Sequence, residues 1–208
     1  HSPLVVLDPE ITIFSLDYIF RSSISSMAPM VESSEFLLIE HDSTPGASLN
    51  SFNTSLTRFC AQWFKPNLHP NAISWKITRA EIVIRKTVDT ASIVRIGIHA
   101  ANPVSTWPLG PSLPSLDTSL SILPNEFNWM TFDFPDLPGL QPECGYCLVV
   151  APISPGLHPR VQFETATQPT SVRSHWLTSS DSANSWTPPD SINNMRFRIY
   201  GTITTQAW

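Results

Sequence analysis

The sequence has few charged residues. Asp, Glu, Lys and Arg make up 14 % of the 208 residues, whereas about a quarter is usual in globular domains. Its surface must therefore depend on Ser, Thr, Asn and Gln for polarity, which is more typical of secreted proteins than of cytosolic enzymes. The 12 basic residues are outnumbered by 17 acidic ones and are scattered along the chain. Because nucleic-acid binding needs a basic face, no nucleic-acid partner is predicted.

Long apolar runs and glycine are scarce as well. No run approaches the roughly 20 residues that a membrane-spanning helix needs, so no membrane span is predicted. Seven glycines accompany 20 prolines, which indicates stiff connections rather than flexible linkers. The first residue is His1 rather than a methionine, and either a removed leader or a trimmed fragment would explain that. The low content of charged residues, which is typical of secreted proteins, leads us to expect a secreted or cell-surface protein.

Motifs of common enzymes are missing. The sequence contains no GxSxG, HExxH, Walker loop or GxGxxG, and its six histidines lie far apart. We therefore expect a protein that is not an enzyme. Glu81 and Glu164, both in expected strands, are the candidates if two carboxylates cooperate in glycoside hydrolysis. Glu81 lies beside Arg79 and Arg85, however, which favours an ion pair across strands.

The three cysteines are too few for a zinc site built on thiolates. A redox CxxC opens a helix next to a βαβ unit, and no such unit is indicated. Two disulfides stay open at this point. A Cys60–Cys144 bridge would leave Cys147 buried and reduced, and a Cys144–Cys147 bridge would close a very short loop.

Alternation of apolar and polar residues is the strongest pattern in the chain. Residues 127–134 and 145–150 are predicted as neighbouring strands of an antiparallel sheet, since prolines and a glycine join them. Residues 75–85 and 93–99 are predicted to form a hairpin, and residues 197–203 a closing strand. About ten short strands separated by turn signals predict an all-β fold, a jelly-roll-like antiparallel β-sandwich.

The first part of the chain is expected to be an extension of this sandwich. We divide the sequence into an extension, residues 1–50, and a sandwich domain, residues 51–208. Residues 4–20 are rich in β-branched and aromatic side chains and predict a strand arm. A strand with so much apolar surface would aggregate if it stayed exposed, so this segment must pair with a sheet. Either the arm joins the edge of its own domain, or it completes the sheet of a neighbouring subunit and gives a homo-oligomer.

A series of short motifs in residues 56–203 is similar to a known family. The motifs occupy residues 77–84, 94–100, 129–134, 140–150, 176–186 and 197–201. In order and spacing they resemble jelly-roll β-sandwich domains of large secreted and surface bacterial proteins, which are similar in fold to carbohydrate-binding modules. The resemblance implies the fold and a place outside the cell, but no ligand, because the functions of these domains are mostly unknown.

Tryptophan is abundant for this length, with seven residues. Trp107, Trp176 and Trp186 lie in or beside polar loops and are the candidate ligand-binding residues. Exposed indoles stack on the C–H faces of sugar rings. Such residues also close the end of a sandwich or anchor a protein interface, so a lid and a protein partner stay open alongside a glycan.

The densest polar cluster is the run from Glu40 to Asp42. In a strand, Glu40 and Asp42 share a face and could offer oxygens to calcium, which needs six to eight. A solvated strand end explains the same residues, and no other cofactor is predicted.

The sequence as a whole favours a non-enzymatic extracellular binding domain, carbohydrate-binding or adhesive. The alternative is a structural subunit of an extracellular filament or of a viral or surface assembly, with intersubunit contacts through residues 4–20.

Overall fold

The computed structural model describes residues 29–43, 45–87, 92–134, 137, 139–156, 158–166 and 173–207. The regular secondary structure of these residues is β-strand, apart from one 3-10 turn at Leu120–Ile122. The strands in chain order are β1 (Met30–Glu32), β2 (Phe36–His41), β3 (Ser48–Asn53), β4 (Phe59–Phe64), β5 (Ala72–Arg85), β6 (Ile93–Ala101), β7 (Pro108–Leu109), β8 (Ser115–Ser119), β9 (Asn128–Asp133), β10 (Tyr146–Pro152), β11 (Arg160–Thr165), β12 (Ser174–Ser179), β13 (Asn193–Met195) and β14 (Phe197–Gln206).

Eight of these strands make two antiparallel sheets in jelly-roll order. Sheet A has the order β2-β14-β5-β9, and sheet B has the order β4-β10-β6-β8. If these eight strands are renumbered 1 to 8 in chain order, sheet A has the order 1-8-3-6 and sheet B has the order 2-7-4-5. The chain thus crosses repeatedly from one sheet to the other, as a jelly roll requires. The predicted all-β, jelly-roll-like sandwich is confirmed.

The predicted strand pairs, in contrast, are wrong. Residues 75–85 and 93–99 form β5 and β6, which lie in different sheets and are not a hairpin. Residues 127–134 and 145–150 correspond to β9 and β10, which are also divided between the sheets. The physical reason is that a strand with one buried face fits either layer of a sandwich equally well. Alternation therefore identifies a strand but not its partner.

The remaining strands widen both sheets. β1, β3, β11 and β13 belong to sheet A, while β7 and β12 belong to sheet B. The predicted domain boundary at residue 50 falls inside β3, and both β1 and β2, which precede it, pair with β14. Residues 1–28, which include the predicted strand 4–20, lie outside the described residues.

The core lies between the sheets. Its largest fully buried side chains are Trp75, Phe64, Phe134 and Phe197. Trp75 meets Tyr146 of sheet B edge to face, with ring centroids 5.3 Å apart. The Trp75 indole N–H also donates to the backbone oxygen of Gln141 at 3.2 Å, so this large residue is buried with its polar atom satisfied.

The long strand β5 changes the face that it buries. Its core side chains are Trp75 and Ile77 before the change, and Ala80, Ile82 and Ile84 after it. The register with β14 shifts between Tyr200 and Gly201, which leaves Thr78 without a partner. Such a bulge inserts one residue and reverses the alternation. Strict alternation would place Ile77 and Arg79 on the same face, but the bulge between them puts Ile77 in the core and Arg79 on the outer face.

Candidate functional site

The outer face of sheet B carries an apolar cluster of its own. Ala61, Cys147, Val149 and Leu177 form it together with Trp186. Trp186 comes from the connection that follows β12, and Trp107, which precedes β7, packs on the same cluster. Two of the three candidate tryptophans thus cover the outside of sheet B from two different loops.

A cavity of about 420 Å³ lies beside Trp186 on this face of sheet B. Its apolar wall consists of Phe59, Val149, Ala151, Ile153 and Trp186, and its polar side includes Arg95, His99 and Ser112. Pro108 of β7 lines it together with Gly110 and Pro111 of the loop before β8. The size and the mixture of an apolar wall with a few polar groups are those of a small-ligand site.

Hydrogen bonds within the protein hold two polar side chains of the cavity, His99 and Arg95. His99 Nδ1 lies 3.1 Å from the backbone oxygen of Gly110, so Nδ1 carries the proton and Nε2 is an acceptor in the neutral ring. Burial lowers the pKa of His99, against the smaller effect of that bond. Arg95 donates from Nε and Nη2 to both carboxylate oxygens of Asp117, at 2.7 and 2.8 Å. The cavity therefore offers hydrogen-bonding groups without net charge.

A row of four side chains crosses the outer face of sheet B beside this cavity. The strand register aligns His175, Trp63, Cys147 and His99 on neighbouring strands. A cysteine next to a histidine invites comparison with a nucleophilic pair. Burial raises the pKa of the Cys147 thiol, and its sulfur donates to the backbone oxygen of Thr106 at 3.3 Å. The thiol is protonated at neutral pH and is not an activated nucleophile.

His175 fastens the loop before Trp107 to the sheet. Its ring stacks on Trp63 with centroids 4.6 Å apart and planes 12° apart. Its Nε2 lies 2.6 Å from the hydroxyl of Thr106, and burial lowers the pKa of His175 to about 4. The Thr106 hydroxyl donates its single proton to the backbone oxygen of Ser105 at 2.6 Å, so the neutral His175 ring donates from Nε2 to the hydroxyl oxygen. The Trp107 indole N–H is buried and has no hydrogen-bond partner within the described part of the chain.

Trp176 does not belong to this outer surface. It lies in β12 with 5 % of its surface exposed and belongs to the core between the sheets. Its ring stacks on Phe163 at 5.3 Å and meets Phe52 edge to face at 5.7 Å. Trp186 is 7 % exposed and Trp107 is half-buried. The expectation of exposed flat indoles is thus wrong for Trp176 and Trp186, and only Trp186 lines the cavity.

Glu40 and Asp42 lie on the outer face of sheet A, each beside arginine. Arg198 donates to Glu40 at 3.2 Å and to Asp42 at 3.3 Å, and Arg196 Nε donates to Asp42 at 3.0 Å. No group of three or more His, Cys, Asp or Glu side chains in the described ranges could hold a metal ion. The ion pairs account for both residues proposed as calcium ligands.

The two candidate carboxylates for hydrolysis occupy different surroundings. Glu81 pairs with Arg79 of its own strand and with Arg198 of β14, each at 3.4 Å, so an ion pair across strands forms, but with Arg198 instead of the predicted arginines. Arg85, the other predicted partner, lies over the ring of Phe127 instead. Glu164 is fully buried and lies 3.4 Å from Nε2 of His41.

All three cysteines are free, so both predicted disulfides are wrong. Cys60 pairs in register with Val150, whereas Tyr146, which follows Cys144 closely, pairs with Phe64 at the other end of β4. Four strand residues separate these ends by about 13 Å, and a disulfide needs Cα atoms within about 7 Å. Cys144 is exposed, while Cys60 and Cys147 are buried.

The cavity residues Arg95, His99 and Phe59 were not identified from the sequence. Alternation in β6 does place Arg95, Gly97 and His99 on one face, so a signal for the outer face existed. Loops from distant parts of the sequence cover that face, and alternation within one strand does not indicate which loops these are. A side chain at Gly97 would come within 3.2 Å of Ser112, so the glycine allows the loop before β8 to approach the sheet.

No protein-family model and no curated protein matches the chain. Among solved structures the chain is similar to one in "Structure of infectious bursal disease virus Gt strain", with 11 % identity and a TM-score of 0.21. The match covers 98 % of this chain and 46 % of that chain, so this chain spans less than half the length of the viral one. A likeness at this TM-score carries no argument about function.

No described segment is a helix both long and apolar enough to span a membrane.

Proposed function

We propose that this chain is a non-enzymatic binding domain of a secreted or cell-surface protein and that it binds a carbohydrate. The observation that carries the proposal is the cavity on sheet B, where Trp186 and Phe59 face a small set of hydrogen-bonding groups. Sugar rings present an apolar C–H face and a rim of hydroxyls, and they need an apolar wall and convergent polar groups in return.

The charges at the cavity favour a neutral sugar. Arg95 donates from Nε and Nη2 to Asp117, so a carboxylate of the protein already balances the charge of the guanidinium. His99 Nε2 is the acceptor of a neutral ring and can take a hydrogen bond from a sugar hydroxyl. A phosphorylated or acidic sugar would gain little from Arg95, because the Asp117 carboxylate already balances its charge.

The state of Cys147 supports binding over nucleophilic catalysis. Its thiol is buried, its pKa is raised, and its proton is used in a bond to Thr106. A cysteine nucleophile acts as a thiolate that a substrate can reach. In this chain the cysteine beside His99 therefore serves the packing of the loop.

Titration of the full chain with neutral monosaccharides and oligosaccharides tests the proposal, with saturation-transfer NMR and calorimetry as readouts. Ala151→Trp fills the cavity from its sheet side and should abolish binding. Ala101→Trp is the matched control, since Ala101 is a half-exposed alanine of sheet B that lines a different, smaller cavity. Both variants should keep the circular dichroism spectrum of the parent. Binding that survives Ala151→Trp, or no binding to any neutral sugar, would refute the proposal.

A structural subunit of an extracellular filament or of a viral or surface assembly is the second candidate. It is favoured by an apolar sheet edge along β1 and β2 that no other described strand covers. Exchange of residues 4–20 between subunits would need such an edge. Light scattering over a hundredfold range of concentration tests this candidate. A mass that grows with concentration supports assembly, and a constant monomer mass rejects it.

A further inference from the structure

Sheet A has one long edge whose outer side is open. β1 pairs with residues 204–206 of β14, and β2 pairs with residues 197–201 of the same strand. Between them the Ser33 N–H donates to the oxygen of Ile203 at 2.9 Å. Residues 30–41 therefore form one edge of twelve positions along β14. Within the described part of the chain nothing pairs with the other side of this edge.

The side chains of this edge are unusually apolar for an exposed strand. Met30 is 66 % exposed, Val31 51 %, Phe36 41 % and Leu37 38 %. An uncovered apolar edge is a site for pairing with another strand. A partner strand would bury these four side chains and satisfy the outward backbone groups together.

The acidic residues of the edge do not prevent another strand from pairing with it. Glu32 pairs with Lys76 at 3.2 Å, and Glu35 pairs with Arg79 at 3.0 Å. Both cations belong to β5, so these carboxylates turn inward over the sheet and not outward towards an approaching strand. The charges that commonly keep sheet edges apart are thus already used within sheet A.

Another edge of the molecule shows how such a strand is covered. At β12, the edge of sheet B, the Thr187 N–H donates to the oxygen of Thr178 at 2.8 Å. Asp190 exchanges two backbone hydrogen bonds with Trp176, at 2.9 and 3.1 Å. That edge is closed by the chain's own connection after β12. The edge at residues 30–41 is longer and more apolar, and it lacks a described cover.

We propose that residues 4–20 of the same chain form an antiparallel strand on the edge at residues 30–41. The edge is about 40 Å long at 3.4 Å per residue, and the 17-residue segment is long enough to cover it. Nine residues, 21–29, then join the two as a hairpin connection. The segment alternates apolar residues such as Ile11 and Ile13, which suits a pleated partner.

The short connection is also the reason for choosing the chain's own segment. A covalent link of this length gives an effective concentration in the millimolar range. A segment from a second copy has only the bulk protein concentration. Consecutive strands are also usual neighbours. The proposed strand is independent of the carbohydrate site, which lies on sheet B.

Photo-crosslinking of the full chain tests the proposal. Benzoylphenylalanine replaces Phe36 in the edge, and the matched control carries it in place of Leu113. Leu113 is similarly exposed at 45 % but precedes β8 of sheet B. Light and heavy-nitrogen chains are mixed before irradiation, and the crosslinked peptides are mapped by mass spectrometry. We expect crosslinks from position 36 to residues 4–20 that carry a single isotope, and none to that segment from position 113.

Each other outcome overturns the proposal. Crosslinks of mixed isotope would identify the segment of a second copy as the occupant. Crosslinks from position 36 to any other part of the chain, or only to solvent, would show that residues 4–20 do not cover this edge. Equal crosslinking from positions 36 and 113 would show a segment without a fixed site.

Discussion

The most demanding test of the architecture is Gly201→Ala. Gly201 lies beside the bulge where β14 passes β5. A Cβ atom there would lie 1.8 Å from the backbone oxygen of Lys76 and 2.7 Å from Cδ1 of Leu38. Leu38 can move by a change of rotamer, but the Lys76 oxygen belongs to the main chain of the neighbouring strand. The two strands must therefore separate by about 1.5 Å to reach ordinary contact distance.

The magnitude follows from what that separation disrupts. Overpacking that side chains can absorb costs about 1–3 kcal/mol. Here the strands that separate are at the centre of sheet A, and each buried backbone group that loses its partner costs about 1–3 kcal/mol more. We expect the free energy of unfolding to fall by about 3–5 kcal/mol, a large part of the 5–15 kcal/mol that is typical of a domain.

Urea unfolding followed by tryptophan fluorescence measures the effect. With a slope of about 2–3 kcal/mol per molar urea, the midpoint should fall by about 1–2 M. Gly139→Ala is the matched control, because its new Cβ would meet only Ser74 at an ordinary 3.5 Å. If the two alanine variants unfold at the same midpoint, the close approach of β14 to β5 is not as described.

Three further predictions concern burial. Trp176→Ala should lower the free energy of unfolding by about 3–5 kcal/mol, because the indole lies in the core; a thermal midpoint close to the parent would contradict that position. In the native protein only Cys144 should react quickly with Ellman's reagent, and Cys60 and Cys147 only after unfolding, since burial raises both of their pKa values; two fast thiols would contradict this. The pKa of His175 is about 4 when folded and near 6.5 when unfolded. Its contribution to stability is thus full above pH 6.5 and is lost as pH falls towards 4. His175→Phe keeps a ring on Trp63 and should flatten the stability profile in that window, whereas an unchanged slope would assign the acid sensitivity to other groups.

The sequence alone was sufficient for the fold class and for the positions of β5, β6, β9, β10 and β14. Alternation in residues 75–85, 93–99 and 197–203 gives β5, β6 and β14 because one face of each strand is buried, and that pattern is local. The same local information indicated that Glu81 would pair with arginine.

Only the tertiary structure decided which strands are partners and what each tryptophan does. β5 and β6 follow one another in the chain yet lie in different sheets, because the chain of a jelly roll crosses repeatedly between the two layers. Trp176 and Trp186 stand in similar polar surroundings in sequence, but one is in the core and the other covers sheet B. The bulge at Thr78, the cavity beside His99 and the open edge at residues 30–41 all arise where distant segments meet. Such contacts depend on long-range register, and a local pattern of residue types carries no record of it.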